Sequence, residues 1–156
     1  FNAMSSFKGA SRSLEKIYTR KGLQVFKDFA HSPSKVKATV KAVKAQFKDF
    51  NIIAALELHT FSSLNKSFLT EYKSSMDGVD TAIVYFDPKA IAHKKLENLS
   101  EDLVFECFAR EDLNVLTNRD ELCKKIREEL SNNTIVLLMS SGNFGGLILE
   151  DFAKSL

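Results

Sequence analysis

The sequence predicts an α/β fold, a mainly parallel six-stranded sheet with helices on both faces and an antiparallel hairpin strand at its N-terminal edge. Two observations carry this reading. Short, nearly continuous apolar runs at 52–58, 81–86 and 134–139 have the composition of strands buried on both faces. Between them lie longer stretches in which apolar residues recur at helical spacing. Such alternation implies parallel strands joined by crossover helices. At 156 residues the chain is one domain by length.

Taken in order, residues 14–19 and 23–27 read as two strands joined at Arg20-Lys-Gly22, a short glycine-containing hairpin turn. A helix is predicted over 33–48. Ser32 suits its N-cap, Pro33 its first position, and Val36, Val40, Val43 and Phe47 form one apolar stripe. The strand 52–58 is followed by a polar turn at 59–65 and a helix at 66–76. Residues 81–86 form a β-branched and aromatic strand closed by Asp87-Pro88. The 90–99 region is open between short helix and loop. Residues 104–108 read as a strand, 118–130 as a helix capped by Asn118, 134–139 as the last strand and 144–156 as the last helix.

Composition narrows the function classes. No apolar run reaches the roughly 18 residues a membrane span needs, and no signal-peptide pattern opens the chain. Neither a membrane partner nor export is therefore expected, and the expected location is the cytoplasm. Cys107 and Cys123 are too few for a disulfide framework or a metal cluster and read as small buried hydrophobes. Residues 1–48 hold 11 Lys/Arg against 2 Asp/Glu, whereas 49–156 hold 11 against 18. The basic third could attract phosphates. Lys37, Lys41, Lys44 and Lys48 follow helical spacing, however, and no aromatic residues interleave for base stacking, so a solvated helix face is preferred and no nucleic-acid partner is expected. His31, His59 and His93 lack metal-ligand spacing. No Gly-x-x-x-x-Gly-Lys-Ser/Thr loop is present, since Gly-Lys never occurs. A Ser-His-Asp use of Ser32, His31 and Asp28 lacks the Gly-x-Ser-x-Gly elbow.

The richest stretch is 27–43. It reads as a strand end, a tight polar turn and an immediate helix, which puts Asp28, His31 and Ser32 beside the unpaired N–H groups of a helix start. Open α/β sheets bind ligands at such turns. A second turn of this kind, Ser140-Ser-Gly-Asn-Phe-Gly-Gly146, carries glycines that permit positive φ and close backbone approach to a ligand.

Asp28-Phe-Ala-His-Ser-Pro33 resembles the Asp-x-Ala-His-x-Pro signature that opens the C-terminal domain of Mur ligases. These are ATP-dependent enzymes that join amino acids or peptides to UDP-N-acetylmuramate. Phe7-Lys-Gly-Ala-Ser-Arg-Ser-Leu-Glu15 is similar to the family's Phe-x-Gly-Val-x-Arg-Arg-x-Glu junction, with Ser13 in place of the second arginine. Leu56-Glu-Leu-His-Thr-Phe-Ser-Ser-Leu64 occupies the place of Glu-Pro-Arg-Ser-Asn-Thr in the murein-peptide branch and of Gln-Pro-His-Arg-Tyr-Thr-Arg in the alanine branch. Glu57 matches the first and His59 the second; His59, Thr60 and Ser63 stand at the arginine places. The 135–146 stretch resembles the family's closing strand and glycine turn. The likeness is nearest to the murein-peptide branch and runs from Phe7 to Leu149, thinnest over 88–133.

The resemblance implies a Rossmann-like three-layer domain. Residues 1–6 are set apart as a tag or linker remnant, with Phe1–Ala3 ahead of a start at Met4, and 7–156 as the Mur ligase C-terminal domain. It implies ATP and Mg as cofactors, bound mainly by a central domain that this sequence does not include, with no catalytic residue and no metal site in this stretch. Asp28 and Arg12 would touch the nucleotide, Asp28 at the ribose. His31, Ser32, His59, Ser62, Asn65, Gly142, Asn143 and Gly145 would line the substrate side, facing UDP-N-acetylmuramate and the incoming amino acid or peptide. Within 59–65 only His59 can carry positive charge near neutral pH. The alternative is a stand-alone small-ligand-binding module on the same fold, which the reading frame upstream of Met4 would decide.

Overall fold

The computed structural model describes residues 14–59, 66–93 and 99–156. Six strands form one sheet, β1 (Glu15–Arg20), β2 (Leu23–Asp28), β3 (Asn51–Glu57), β4 (Thr81–Tyr85), β5 (Asn114–Leu116) and β6 (Thr134–Met139), in the order β1-β2-β6-β3-β4-β5. β1 pairs antiparallel with β2 through a hairpin whose Gly22 has φ 82°, and every other pairing is parallel. The six-stranded α/β sheet with its antiparallel edge hairpin is the one the sequence predicts.

Helices cover both faces. α1 (Pro33–Gln46), α2 (Lys66–Leu69) with a 3-10 turn at Thr70–Tyr72, α3 (Pro88–His93) and α4 (Glu101–Phe108) come between β2 and β5, and α5 (Arg119–Glu128) and α6 (Leu149–Ser155) flank β6. Alternate strand residues feed two cores. Phe26, Leu56, Val84 and Leu137 pack with Val36, Val40, Tyr72 and Phe108 on one side. Val25, Ile53, Ile83 and Val136 pack with Leu122, Ile126 and Phe152 on the other. Cys107 and Cys123 are buried in opposite cores.

Local chemistry explains the element ends. Pro33 opens α1, while Ser32 sits at the N-cap with its carbonyl accepting from Val36 N–H at 2.9 Å and no capping bond from its hydroxyl. Phe47 closes α1 and packs on Phe26 and Phe50 with ring centroids 5.6 and 5.3 Å apart. Asn118 caps α5 through Oδ1, which accepts from Glu121 N–H at 3.0 Å. Lys35, Lys37, Lys41 and Lys48 point to solvent, as a solvated face requires, and Lys44 lies across Gly78.

Three assignments differ from the sequence reading. The fifth strand is Asn114–Leu116, and residues 104–108 lie in α4 instead. The Ser100 hydroxyl caps that helix, Glu101 and Asp102 sit in its first turn, and Ala109 ends it at φ 52°. Val104, Cys107 and Phe108 are buried at i, i+3 and i+4 while Phe105 is 40% exposed, a helical burial pattern. The helix expected at 66–76 stops at Tyr72, because Lys73 leaves helical dihedrals and Ser74 takes φ 66°. The last helix starts at Leu149 rather than 144, since Phe144, Gly145 and Gly146 all have positive φ, at 55°, 73° and 90°.

The helical assignment of 101–108 has a direct consequence for stability. Phe105→Gln should cost about 1 kcal/mol or less, as a partly exposed helix residue would, whereas Phe108→Ala should cost about 3–5 kcal/mol. Urea denaturation of the two variants checks this, and equal losses would restore a buried strand at 104–108.

Candidate functional site

The chain leaves β2 and β3 toward one face of the sheet and leaves β6, which lies between them, toward the other. This opens a crevice at the C-terminal ends of the three strands, the switch point at which such sheets bind ligands. The ends are level: Asp28 and Leu56 both pair with Met139, and Ser140 N–H donates to the Asp28 carbonyl at 3.0 Å. Asp28, His31 and Ser32 lie in the first turn of the crevice, Glu57 and His59 in the second, and Ser140 to Gly146 in the third.

In the first turn Asp28 is only 3% exposed, and Thr39 of α1 donates to its Oδ2 at 2.5 Å. The sequence suggested a carboxylate poised for ligand hydroxyls rather than for packing; it also holds α1 against the sheet. His31 is half-buried, its Nδ1 3.0 Å from the Phe29 carbonyl and its ring edge-on to Phe29. The His31 carbonyl accepts from the Tyr72 hydroxyl. Burial first, and Glu71 second, push the Tyr72 phenol above its ordinary pKa, so it stays a donor.

Glu57 organises the other two turns, and sequence reasoning passed over it as a site residue. Its side chain is 3% exposed. Oε1 accepts from the Ser140 hydroxyl at 2.5 Å and from Phe144 N–H at 2.8 Å, and Ser140 Oγ in turn accepts from Gly142 N–H at 2.7 Å. Oε2 lies 3.8 Å from His59 Nδ1. The available signal was one acid at the end of an otherwise apolar strand.

The third turn also carries a bond of its own. Asn143 is exposed, and its Oδ1 accepts from Gly146 N–H at 2.8 Å, so the expected pocket residue caps its own turn. Gly145 has φ 73°, and a Cβ there would lie 2.6 Å from the Tyr85 hydroxyl. Burial, then the Asp87 and Glu57 carboxylates, raise the Tyr85 pKa. Arg119 at the start of α5 donates to the Gly145 carbonyl at 3.1 Å. Gly142 does not have positive φ; its place is explained by the His59 ring above it. Arg12, Ser62 and Asn65 lie outside the described residues, as do Ser13, Thr60 and Ser63.

Beside these turns lies a cavity of about 460 Å³. Asp28, Ser140, Gly142 and Asn143 line it, with the outward-facing apolar side chains Phe29 and Ile148 at 62% and 63% exposure. Lys27, 3.4 Å from Glu150 and 3.9 Å from Glu15, forms its charged rim. The site can therefore offer a carboxylate and a partly apolar wall to one ligand and the His59 imidazole to another. Among the described residues no three His, Cys, Asp or Glu side chains converge as metal ligands would, and no helix is long and apolar enough to cross a membrane.

Residues 14–142 match the family model described as "Mur ligase, glutamate ligase domain". The UDP-N-acetylmuramate–L-alanine ligase of Chlorobium luteolum is 32% identical over 158 residues, covering 94% of this chain and 33% of that protein. The same enzyme from Caldicellulosiruptor bescii is 39% identical over 82 residues, 53% of this chain and 18% of its own length. The chain thus spans a third or less of the curated relatives it matches. Among solved structures, a domain assigned to a UDP-N-acetylmuramate:L-alanyl-γ-D-glutamyl-meso-diaminopimelate ligase of Haemophilus ducreyi is 25% identical with TM-score 0.64, covering 91% of this chain and 98% of that one. The murein peptide ligase of Psychrobacter arcticus superposes with TM-score 0.67 at 19% identity, covering 93% and 29%, a likeness of fold. With its sheet order, its switch-point crevice and a family match over most of its length, the chain belongs to the Mur ligase family, as its C-terminal domain.

Proposed function

We propose that this chain is the C-terminal domain of a cytoplasmic, ATP-dependent Mur ligase that joins an amino acid or peptide to UDP-N-acetylmuramate in peptidoglycan synthesis or recycling. It closes over the cleft of the larger enzyme and orients the incoming substrate. The observation that carries the reading is the family match at 14–142 together with the crevice at the ends of β2, β3 and β6, where the family motifs begin. ATP supplies the activation of the muramyl carboxylate to which the amine is joined. The contribution of a lid domain is to hold the amine in line with that carboxylate and to shut out water.

Each turn has a separate task in this reading. Asp28 lines the cavity, where its carboxylate meets a ribose hydroxyl. The fit stops there: no Gly-Lys dipeptide cradles phosphates, and no described donor set gathers for Mg, so both belong to another domain. His31 and Ser32 line the substrate side of the cleft. His59 faces the amino acid or peptide and takes the place of an arginine as partner of its carboxylate. The Gly142–Gly146 turn closes the pocket. Arg12, Ser62 and Asn65 keep the roles the family pattern gives them.

Calorimetric titration of the 156-residue chain with ATP and Mg is expected to show no sub-micromolar binding, since the phosphate loop is absent. Tight binding would overturn the division of labour. In the full-length ligase, Asp28→Asn should lower kcat/KM for ATP about tenfold or more, because a hydrogen bond to a charged group is worth roughly 1.5–3 kcal/mol. The amide can still accept from Thr39, so the melting temperature should hold. An unchanged ATP dependence would remove Asp28 from the nucleotide site.

A further inference from the structure

His59 is 42% exposed, yet its ring has a defined seat. A Cβ built on Gly142 would lie 2.9 Å from the ring's Cδ2, 3.0 Å from Cγ and 3.1 Å from Nε2. Gly142 has no positive φ, so a left-handed backbone does not account for the glycine. What excludes a side chain at 142 is the imidazole packed flat above it. The same carboxylate governs both partners. Glu57 Oε2 faces His59 Nδ1 at 3.8 Å, while Glu57 Oε1 holds the Ser140 hydroxyl, which receives Gly142 N–H. Glu57 also receives Phe144 N–H and so fixes the far side of that turn.

We propose that Gly142 and Glu57 are positioning residues that seat the His59 imidazole, and that this seat sets where the domain meets the carboxylate of the incoming amino acid or peptide. The inference rests on the reading above in which His59 faces that substrate. Gly142 supplies the floor, and Glu57 fixes that floor and stands on the Nδ1 side of the ring. The turns after β3 and β6 thereby form one recognition unit, although 83 positions separate Glu57 from Ser140.

The test uses the full-length ligase with L-alanine and L-alanyl-γ-D-glutamyl-meso-diaminopimelate as probes, following whichever is turned over. Gly142→Ala should displace the ring without harming the fold, because a half-exposed side chain can yield where a backbone cannot. Its KM for the probe should rise about tenfold or more, as misplaced contacts commonly cost, with KM for ATP within about twofold and a normal melting temperature. His59→Ala should raise KM similarly, and the double variant should be no worse than His59→Ala alone, since coupled residues are not additive. Glu57→Gln should also raise KM for the probe, and a crystal structure of the Gly142→Ala enzyme should show the imidazole moved off position 142. If His59→Ala raises KM but Gly142→Ala does not, the seat is overturned and the substrate reading stands. If His59→Ala leaves KM unchanged, the reading falls and takes the inference with it.

Discussion

The structure depends on β6 entering the sheet between β2 and β3. All six of its residues are buried, and it pairs in parallel on both sides from Thr134 to Met139. A strand so placed cannot be hydrated on either face or edge, so the sheet is complete only when the last third of the chain has joined the first. The same insertion makes the crevice. Because β6 turns toward α6 while its two neighbours turn toward α1 and α2, the three loops diverge and leave a gap above the strand ends. The fold and the site therefore follow from one pairing event.

A gap of this kind is useful only if the loops around it are fixed, and long-range hydrogen bonds of Tyr72 and Glu57 fix them. The Tyr72 phenol reaches the His31 carbonyl from the next crossover, and ring stacking on Phe108 at 5.0 Å holds Tyr72 in turn. Glu57 reaches across to Phe144 N–H and the Ser140 hydroxyl. A buried carboxylate is costly unless its oxygens are hydrogen-bonded, and here one oxygen alone has two donors. Phe144 is not glycine yet has φ 55°, a left-handed conformation that costs a non-glycine residue about 1–2 kcal/mol. Its fully buried ring and its N–H bond to Glu57 supply the compensation, and Arg119 fastens the next residue's carbonyl.

The parts legible in the sequence were those set by local chemistry. Pro33 with a Val36–Val40–Val43 stripe, Asn118 before an amphipathic run, and the unbroken apolar segment at 134–139 each carry their own signal, and each element formed where it was read. The run 104–108 misled because valine, two phenylalanines and a cysteine suit a strand by composition. The stronger cue was Ser100-Glu-Asp102, a cap followed by two acids, with burial then falling on Val104, Cys107 and Phe108 at helical spacing. The turn residues were legible as places but not as contacts. Asn143 reads as a pocket residue and does line the cavity, but its side chain also accepts from Gly146 N–H, and Gly142 reads as a positive-φ glycine until the His59 ring is seen above it. Glu57 was the hardest, because nothing near it in sequence shows that its partners stand in a turn more than 80 positions away.

The same geometry gives a physical reason for histidine at position 59, as in the alanine-branch pattern, where the murein-peptide pattern carries arginine. A guanidinium at position 59 would have a buried carboxylate within reach, and the planar fork pairs with carboxylates in two-point fashion. Glu57 would then compete with the substrate for the cation. The imidazole Nδ1 lies 3.8 Å from Glu57 Oε2, beyond hydrogen-bond length. A flat ring also fits over a glycine, where a long flexible stem would have no defined floor. Glu57 and Gly142 are thus matched to an imidazole.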